Sequence, residues 1–381
     1  MNLKHILYLL LLLVALSSCY SNGKDDPEEI HTRTVLVYIA AENSLSSYAF
    51  GNIQSMITGA KSEHLQNGNL LVYLDSRRGA PQLIQIAKNE LGEYDQIVLK
   101  EYEEQNSASV EVMRGVINEV LGDDRFETDS YGLILWSHGT AWLPQDYKNM
   151  LRSFGQDGEN WMEINELAKA LPDNRFDFIL FDACYMASIE VAYALRNKAD
   201  YIIASPTEIL AGGFPYQTML EPMFRKEADL VAICEQFYNY YDNRSGMERS
   251  ASISLVQTDK LEGLASAARQ ILQGKGEGIE GLNLSEVQAL DHLVRNRQML
   301  YDFDHFINQV ATGSNYEPLN QALSQAIIYA KSTPSATYGY GGGIVMAINH
   351  FCGLSSYVPQ SVQVELNEWY RSLDWYKAVY Q

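Results

Sequence analysis

The sequence predicts an α/β fold, with a mostly parallel central sheet flanked by helices and a mainly helical C-terminal addition. Three observations carry that prediction. Apolar segments rich in β-branched and aromatic residues recur along the chain, and several alternate with stretches of helical period. Segments such as Thr34–Ala41 (TVLVYIAA) are apolar at nearly every position, the pattern of strands covered on both faces rather than on one. Two further segments, YGLILWSHG and FDFILFDAC, run directly into the reactive side chains of His138 and Cys184. Reactive groups in an open parallel sheet belong at the carboxyl ends of its strands.

The elements follow in order. Residues 1–19 read as an export signal: Lys4 and His5 give a polar start, and Ile6–Leu16 give an apolar run far short of the ~20 residues a spanning helix needs. Leu16-Ser17-Ser18-Cys19 resembles the lipobox of bacterial lipoproteins, in which Cys19 is lipidated and becomes the mature N-terminus. Cleavage by ordinary signal peptidase beside an incidental cysteine is the alternative. Residues 20–32 open with YSNGKDDPEE, a polar, acidic, proline-containing stretch that predicts a flexible tether. Its Lys-Asp-Asp run resembles the acidic surface-export signals of some Gram-negative lipoproteins. The expected location is the cell envelope, lipid-anchored at the outer membrane or cell surface.

Residues 33–258 are expected to form the α/β domain. Its strands are placed at Thr34–Ala41, Asn69–Asp75, Gln96–Tyr102, Tyr131–Ser137, Asp177–Asp182, Asp200–Ser205 and Ala251–Gln257. Helical periodicity marks Ser107–Leu121, Ile164–Leu171 and Met186–Arg196. Between the two reactive strand ends, Gly139–Asn160 contains Pro144, Gly155 and Gly158 and has no clean period, so it reads as a long loop over the active edge. Residues 259–381 complete the domain with helices at Asp259–Gln273, Leu284–Arg297, Phe303–Val310 and Leu319–Lys331. A last strand at Gly343–Asn349 follows the flexible run Tyr338–Gly342.

Composition narrows the function. With 381 residues, 46% of them hydrophobic, the chain can bury a large core. Its 28 Lys+Arg against 48 Asp+Glu give a net charge of -20, which argues against nucleic-acid binding, since that normally demands a basic face. Beyond Cys19, the cysteines are Cys184, Cys234 and Cys352, an odd number that gives no disulfide framework. Cys234 falls in the helical pattern DLVAICEQFYNYY and reads as a small buried hydrophobe. No G-x-S-x-G elbow and no H-E-x-x-H occur, which argues against a serine hydrolase and a metallopeptidase.

A thiol with an ordinary pKa of about 8.5 is mostly protonated at neutral pH, and a neighbouring imidazole is the usual means of making it a nucleophile. His138 and Cys184 at neighbouring strand ends would form such a pair. Gly139 lets backbone approach a ligand closely, and its amide, with that of Cys184, can donate to a developing oxyanion. Cys184 also stands where a helix is expected to begin, and a helix N-terminus favours a thiolate.

SHG after one strand, DAC-x-MA-x-IE after the next, then IIASPTEILAGGFPY, with an early VYIAAENSLSSYAFGNI, resemble the clostripain family of cysteine peptidases. The resemblance implies the caspase-like fold shared with gingipains and legumain, with Cys184 as nucleophile and His138 as general acid and base. It implies no required cofactor or metal, although calcium stimulates some members; no EF-hand-like loop occurs here. Protein or peptide substrates follow, with the membrane reached through the lipid anchor.

Specificity departs from the family pattern. Relatives cleave after Arg or Lys with an acid in the turn that here reads Leu210-Ala211-Gly212-Gly213-Phe214. Asp182 and Glu208 are the remaining acidic candidates, with Gly212, Gly213, Phe214 and Tyr216 as further substrate-binding candidates and the two aromatics as walls. Asp182 has a second reading, as a cap for the following helix. The preferred side chain at the cleavage site therefore stays open. Relatives are often zymogens cut between the catalytic His and Cys, an interval that here holds Lys148 and Arg152. A silent scaffold lipoprotein that keeps the fold is the second functional reading.

Overall fold

The computed structural model describes residues 33–144, 153–276, 278–279, 281–293, 298–311, 316–339 and 343–381. The signal and tether readings, Cys19, Lys148 and Arg152 lie outside the described residues.

The strands are β1 (Arg33–Ala41), β2 (Asn69–Ser76), β3 (Gly79–Lys88), β4 (Tyr94–Glu101) and β5 (Ser130–Trp136). They continue as β6 (Phe154–Asp157), β7 (Asn160–Met162), β8 (Phe176–Asp182), β9 (Ala199–Ala204) and β10 (Ser252–Gln257). The last are β11 (Leu300–Asp302), β12 (Ile327–Ser332), β13 (Ser335–Tyr338), β14 (Ile344–Ala347) and β15 (Ser355–Tyr357). Nine of them form one sheet in the order β12-β10-β9-β8-β5-β1-β2-β3-β4. The five in the middle pair in parallel. Antiparallel pairs complete each side. Two successive reversals restore direction, so seven of the nine strands point the same way and only β3 and β10 oppose them.

Each middle strand feeds alternate residues to two cores, as a period of two requires. Leu36, Tyr38, Leu133, Leu135, Ile179 and Phe181 face one side, packed by helices Val110–Leu121, Ile164–Ala170 and Leu261–Leu272. Val35, Val37, Ile134, Trp136, Phe178 and Leu180 face the other, packed by helices Ser46–Gly59, Tyr216–Met223 and Leu230–Asp242. All nine residues of β1 are buried, which is why the strand reads as an unbroken apolar run. Cys234 is fully buried in the second core. No described helix is long and apolar enough to cross a membrane.

The C-terminal region differs from its sequence reading in three places. The described part of Leu284–Arg297 holds only a single 3-10 turn, Leu284–Glu286. Residues 287–293 carry no helix, and the buried Asp291 carboxylate instead accepts the amides of Met299 at 2.8 Å and Leu300 at 2.7 Å. The helix expected at Leu319–Lys331 stops at Ala326, and the remainder becomes edge strand β12, antiparallel to β10. The strand expected at Gly343–Asn349 exists as β14 but pairs with β13 in a separate hairpin. In the long loop after His138, Phe154–Asp157 forms β6, paired with β7. The sequence reading also missed β3 and the helix Ser46–Gly59.

Candidate active site

β5 and β8 are adjacent and parallel, with Trp136 opposite Asp182. His138 and Cys184 each follow their paired residue by two positions. The register therefore carries both residues past the strand ends at the same level. Both line one cavity of about 230 Å³, together with Ser44, Leu45, Trp136, Asp182, Glu208 and Ile209.

The two strand ends touch through Gly139. A Cβ at that position would lie 2.7 Å from the carbonyl oxygen of Cys184 and 2.9 Å from the Met186 sulfur. Gly139 also forms an antiparallel bridge with Phe154. Its flanking hydrogen bonds, Gly155 N to His138 O at 3.1 Å and Thr140 N to Ser153 O at 2.9 Å, do not use the Gly139 amide. Gly139→Ala is accordingly expected to displace the Cys184 backbone. A misplacement of about 1 Å at a reacting centre costs roughly 10²-fold in rate, while overpacking costs about 1–3 kcal/mol of stability. Peptide turnover and thermal melting measured on the same preparation check this.

The His138 ring is fixed by the Ser44 hydroxyl, 2.9 Å from its Nε2, and lies 6.1 Å, centroid to centroid, from the Trp161 ring. Burial pulls its pKa down to about 4, so the imidazole is neutral at physiological pH and able to take a proton. The Cys184 thiol is directed at the Ile209 carbonyl at 3.6 Å, and the Ile209 amide donates back to the sulfur at 3.3 Å. Burial pushes the thiol well above its ordinary range, and the Glu208 carboxylate pushes it further. Burial thus favours the neutral form of both the thiol and the imidazole, which line the same cavity. The expected help from a helix N-terminus is not present, because residues 183–185 form a bend and turn and the helix begins only at Ile189, capped by Ser188. Asp182 does not cap it either.

Asp182 instead anchors the 210–216 turn. One of its oxygens accepts the Phe214 amide at 3.2 Å and the Tyr216 hydroxyl at 2.9 Å, and burial raises its pKa to about 6. Gly213, with φ at +66°, passes so close that a Cβ would sit 2.7 Å from that oxygen. Phe214 and Tyr216 are 1% and 0% exposed. They stand behind the cavity rather than forming its wall, because Phe214 packs at a tilt against Phe237 and Tyr216 begins a core helix. Gly212 is also absent from the lining; its carbonyl is held by Asn52 at 3.0 Å. Asp182, Glu208 and Gly213 do line the cavity. Glu208 accepts the Gly339 amide at 3.0 Å and the Tyr185 hydroxyl at 3.4 Å, and burial raises its pKa. Sequence reasoning assigned no role to Ser44 or Ile209. Both stood in motifs already singled out, Ser44 in VYIAAENSLSSYAFGNI and Ile209 in IIASPTEILAGGFPY, but neither residue type pointed to its contact.

A model described as the clostripain family matches residues 37–381. Clostripain from Hathewaya histolytica is 25% identical across 49% of this chain, a match that spans only 41% of its own length. An inactive zymogen of a C11 protease from Parabacteroides distasonis superposes with a TM-score of 0.83 at 46% identity, covering 92% of this chain and 98% of that one. A secreted C11 cysteine protease from Bacteroides thetaiotaomicron, solved with an irreversible peptide inhibitor, gives a TM-score of 0.81 at 33% identity over 92% and 99% of the two chains.

Proposed function

The chain belongs to the clostripain family, and on that premise we propose that it is a cysteine endopeptidase with Cys184 as nucleophile and His138 as general acid and base. The observation that carries the reading is the β5–β8 register, which delivers both side chains to one cavity. In the proposed cycle the neutral imidazole takes the thiol proton as sulfur attacks the scissile carbonyl. The resulting imidazolium then protonates the leaving amine. Water, deprotonated by the same ring, hydrolyses the thioester and frees the thiol. The amides of Gly139 and Cys184 face the developing oxyanion. These steps draw on no metal or cofactor.

The contact between Cys184 and Ile209 fits a latent state, in which the sulfur is occupied and protonated. Activation then consists of releasing the 208–213 loop from the thiol. A cut at Lys148 or Arg152, between the two catalytic residues, is the proposed trigger. The Parabacteroides relative, described as an inactive zymogen, is consistent with such a stage. The apolar run Ile6–Leu16 and the Cys19 motif support export and lipid anchoring at the cell envelope.

Glu208 supplies the acid that the turn at Gly212 lacks, so a basic side chain is proposed at the cleavage site. A carboxylate that burial alone disfavours is restored to its charged form by an incoming cation. Peptide acyloxymethyl ketones with Lys, Arg, neutral or acidic residues at the cleavage position test this. Basic probes should label Cys184 after cleavage of the 145–158 loop, and Glu208→Gln should lower kcat/KM for basic substrates about 10²-fold. Equal labelling by neutral probes, or an unchanged preference in Glu208→Gln, would remove Glu208 from this role.

A further inference from the structure

The hairpin of β6 and β7 is hydrogen-bonded to both segments that seat the imidazole of His138. On the β5 side, the Gly155 amide donates to the His138 carbonyl at 3.1 Å, the Thr140 amide to the Ser153 carbonyl at 2.9 Å, and the Gln156 amide to the Ser137 hydroxyl at 2.9 Å. On the β1 side, the Gly158 amide donates to the Glu42 carbonyl at 3.0 Å, and the Asn43 side-chain amide to the Gln156 carbonyl at 2.8 Å. Ser44, next along that segment, meets the imidazole itself. Register then decides which side chain of β7 reaches the ring. Met162 pairs with Phe154, and both are buried in the first core, so alternation turns Trp161 the other way. There its half-buried indole lies 6.1 Å from the His138 ring, centroid to centroid, at a tilt of 33°, a separation at which aromatic rings pack.

We propose that Trp161 is a positioning residue for the dyad: its indole covers the His138 imidazole, excludes water from it and holds the ring ready to take the thiol proton. This role rests on the peptidase reading and adds to it a residue that acts through the base. Ser44 fixes the ring by a hydrogen bond. An apolar cover supplies what that bond does not, a barrier to hydration of the charged form. The elements around the ring carry Glu42 after β1, Asp157 and Glu159 on the hairpin, Asp182 and Cys184 at the end of β8, and Glu208 in the shared cavity. Burial, rather than any of these charges, is what lowers the His138 pKa, and the indole is a large apolar group packed beside it. A base kept neutral by its cover goes on accepting protons in acid, whereas a solvated imidazole is mostly protonated below about pH 6.5.

The test is a pH titration of the histidine ring signals by NMR on the whole mature chain carrying Cys184→Ala, which excludes self-cleavage, with His138→Ala to assign the signal. The His138 midpoint should lie near 4 in this parent and rise to about 6 in Trp161→Ala, close to the ordinary histidine value. Trp161→Phe keeps an aromatic cover and should titrate within about half a pH unit of the parent. If thermal melting shows that alanine unfolds the chain, Trp161→Gln, which admits water beside a side chain of similar reach, must show the same rise. With Cys184 restored and the protein activated, the ratio of kcat/KM at pH 5 to that at pH 8 should fall roughly ten-fold in Trp161→Ala, because a ring titrating at about 6 is only about one-tenth neutral at pH 5. A merely structural role would lower both rates alike, and that result would overturn the assignment. So would an unchanged midpoint in the folded Ala or Gln variant, or a midpoint in Trp161→Phe as high as in Trp161→Ala. Absence of turnover at every pH by the activated Cys184 form would remove the peptidase reading and this role with it, whereas a flat titration removes the role alone.

Discussion

Cys184→Ala is expected to abolish peptide hydrolysis, lowering kcat/KM by at least about 10⁴-fold, because no other group at the cavity can form the thioester. The substitution removes one sulfur atom from a partly buried position, so the melting temperature should barely move. His138→Ala should cost roughly 10³–10⁴-fold by leaving the thiol protonated. The ring is neutral in the described state because burial holds its pKa near 4. It therefore accepts the thiol proton at neutral pH, and that capacity disappears as the pH falls through its pKa. Since the two residues act as one unit, the double variant should be no worse than Cys184→Ala alone. Steady-state hydrolysis by activated protein decides the matter. His138→Ala within ten-fold of the parent, or a double variant far below both singles, would break the dyad assignment.

The largest expected stability effect comes from Glu190→Ala, in the short helix that follows Cys184. Glu190 is 1% exposed. One oxygen accepts the Tyr357 amide at 2.9 Å, the Ser356 hydroxyl at 3.0 Å and the Tyr370 hydroxyl at 3.2 Å. These partners tie the C-terminal segment to the chain just after Cys184, and Tyr357 and Tyr370 pack on Trp142 from the loop after His138. Alanine leaves the buried Tyr357 amide and Tyr370 hydroxyl without this acceptor, each at about 1–3 kcal/mol, while the Ser356 hydroxyl keeps the Tyr357 carbonyl at 3.1 Å. With partial relaxation, a loss of about 3–5 kcal/mol is expected, read as a lower urea midpoint with an unchanged slope. Glu190→Gln retains an acceptor oxygen and should lose less. Burial raises the Glu190 pKa to about 7, above its ordinary 4.5. Its contribution to stability is therefore complete below about pH 4.5 and lost as the pH rises through 7. That pH dependence should flatten in Glu190→Gln. A Glu190→Ala midpoint within about 1 kcal/mol of the parent would show that water replaces the carboxylate.

What could be read in advance depended on how locally each feature is encoded. β1, β5 and β8 are covered on both faces, so they declare themselves as apolar runs and their ends are sharp. β3 and β4 are outer strands, and β4 has no buried residue. Its composition carries little signal, although the segment around it was recognised. β12 continues the helical pattern of Tyr316–Ala326 and becomes a strand only because β10 offers an unpaired edge. The missing helix after Leu284 has the same kind of cause: Asp291 captures amides eight and nine residues away, a competition that periodicity cannot register.

The sequence by itself determined the α/β class, the two reactive strand ends and the glycine that follows His138, because each is written in contiguous residues. Only the tertiary structure decided that Trp136 stands opposite Asp182, and hence that base and thiol share a cavity. It alone showed Ile209 on the sulfur, Ser44 on the imidazole and Asp182 bound to the turn below. Those contacts join residues 25, 94 and 34 positions apart. Their geometry is set by register and burial, which no single segment contains.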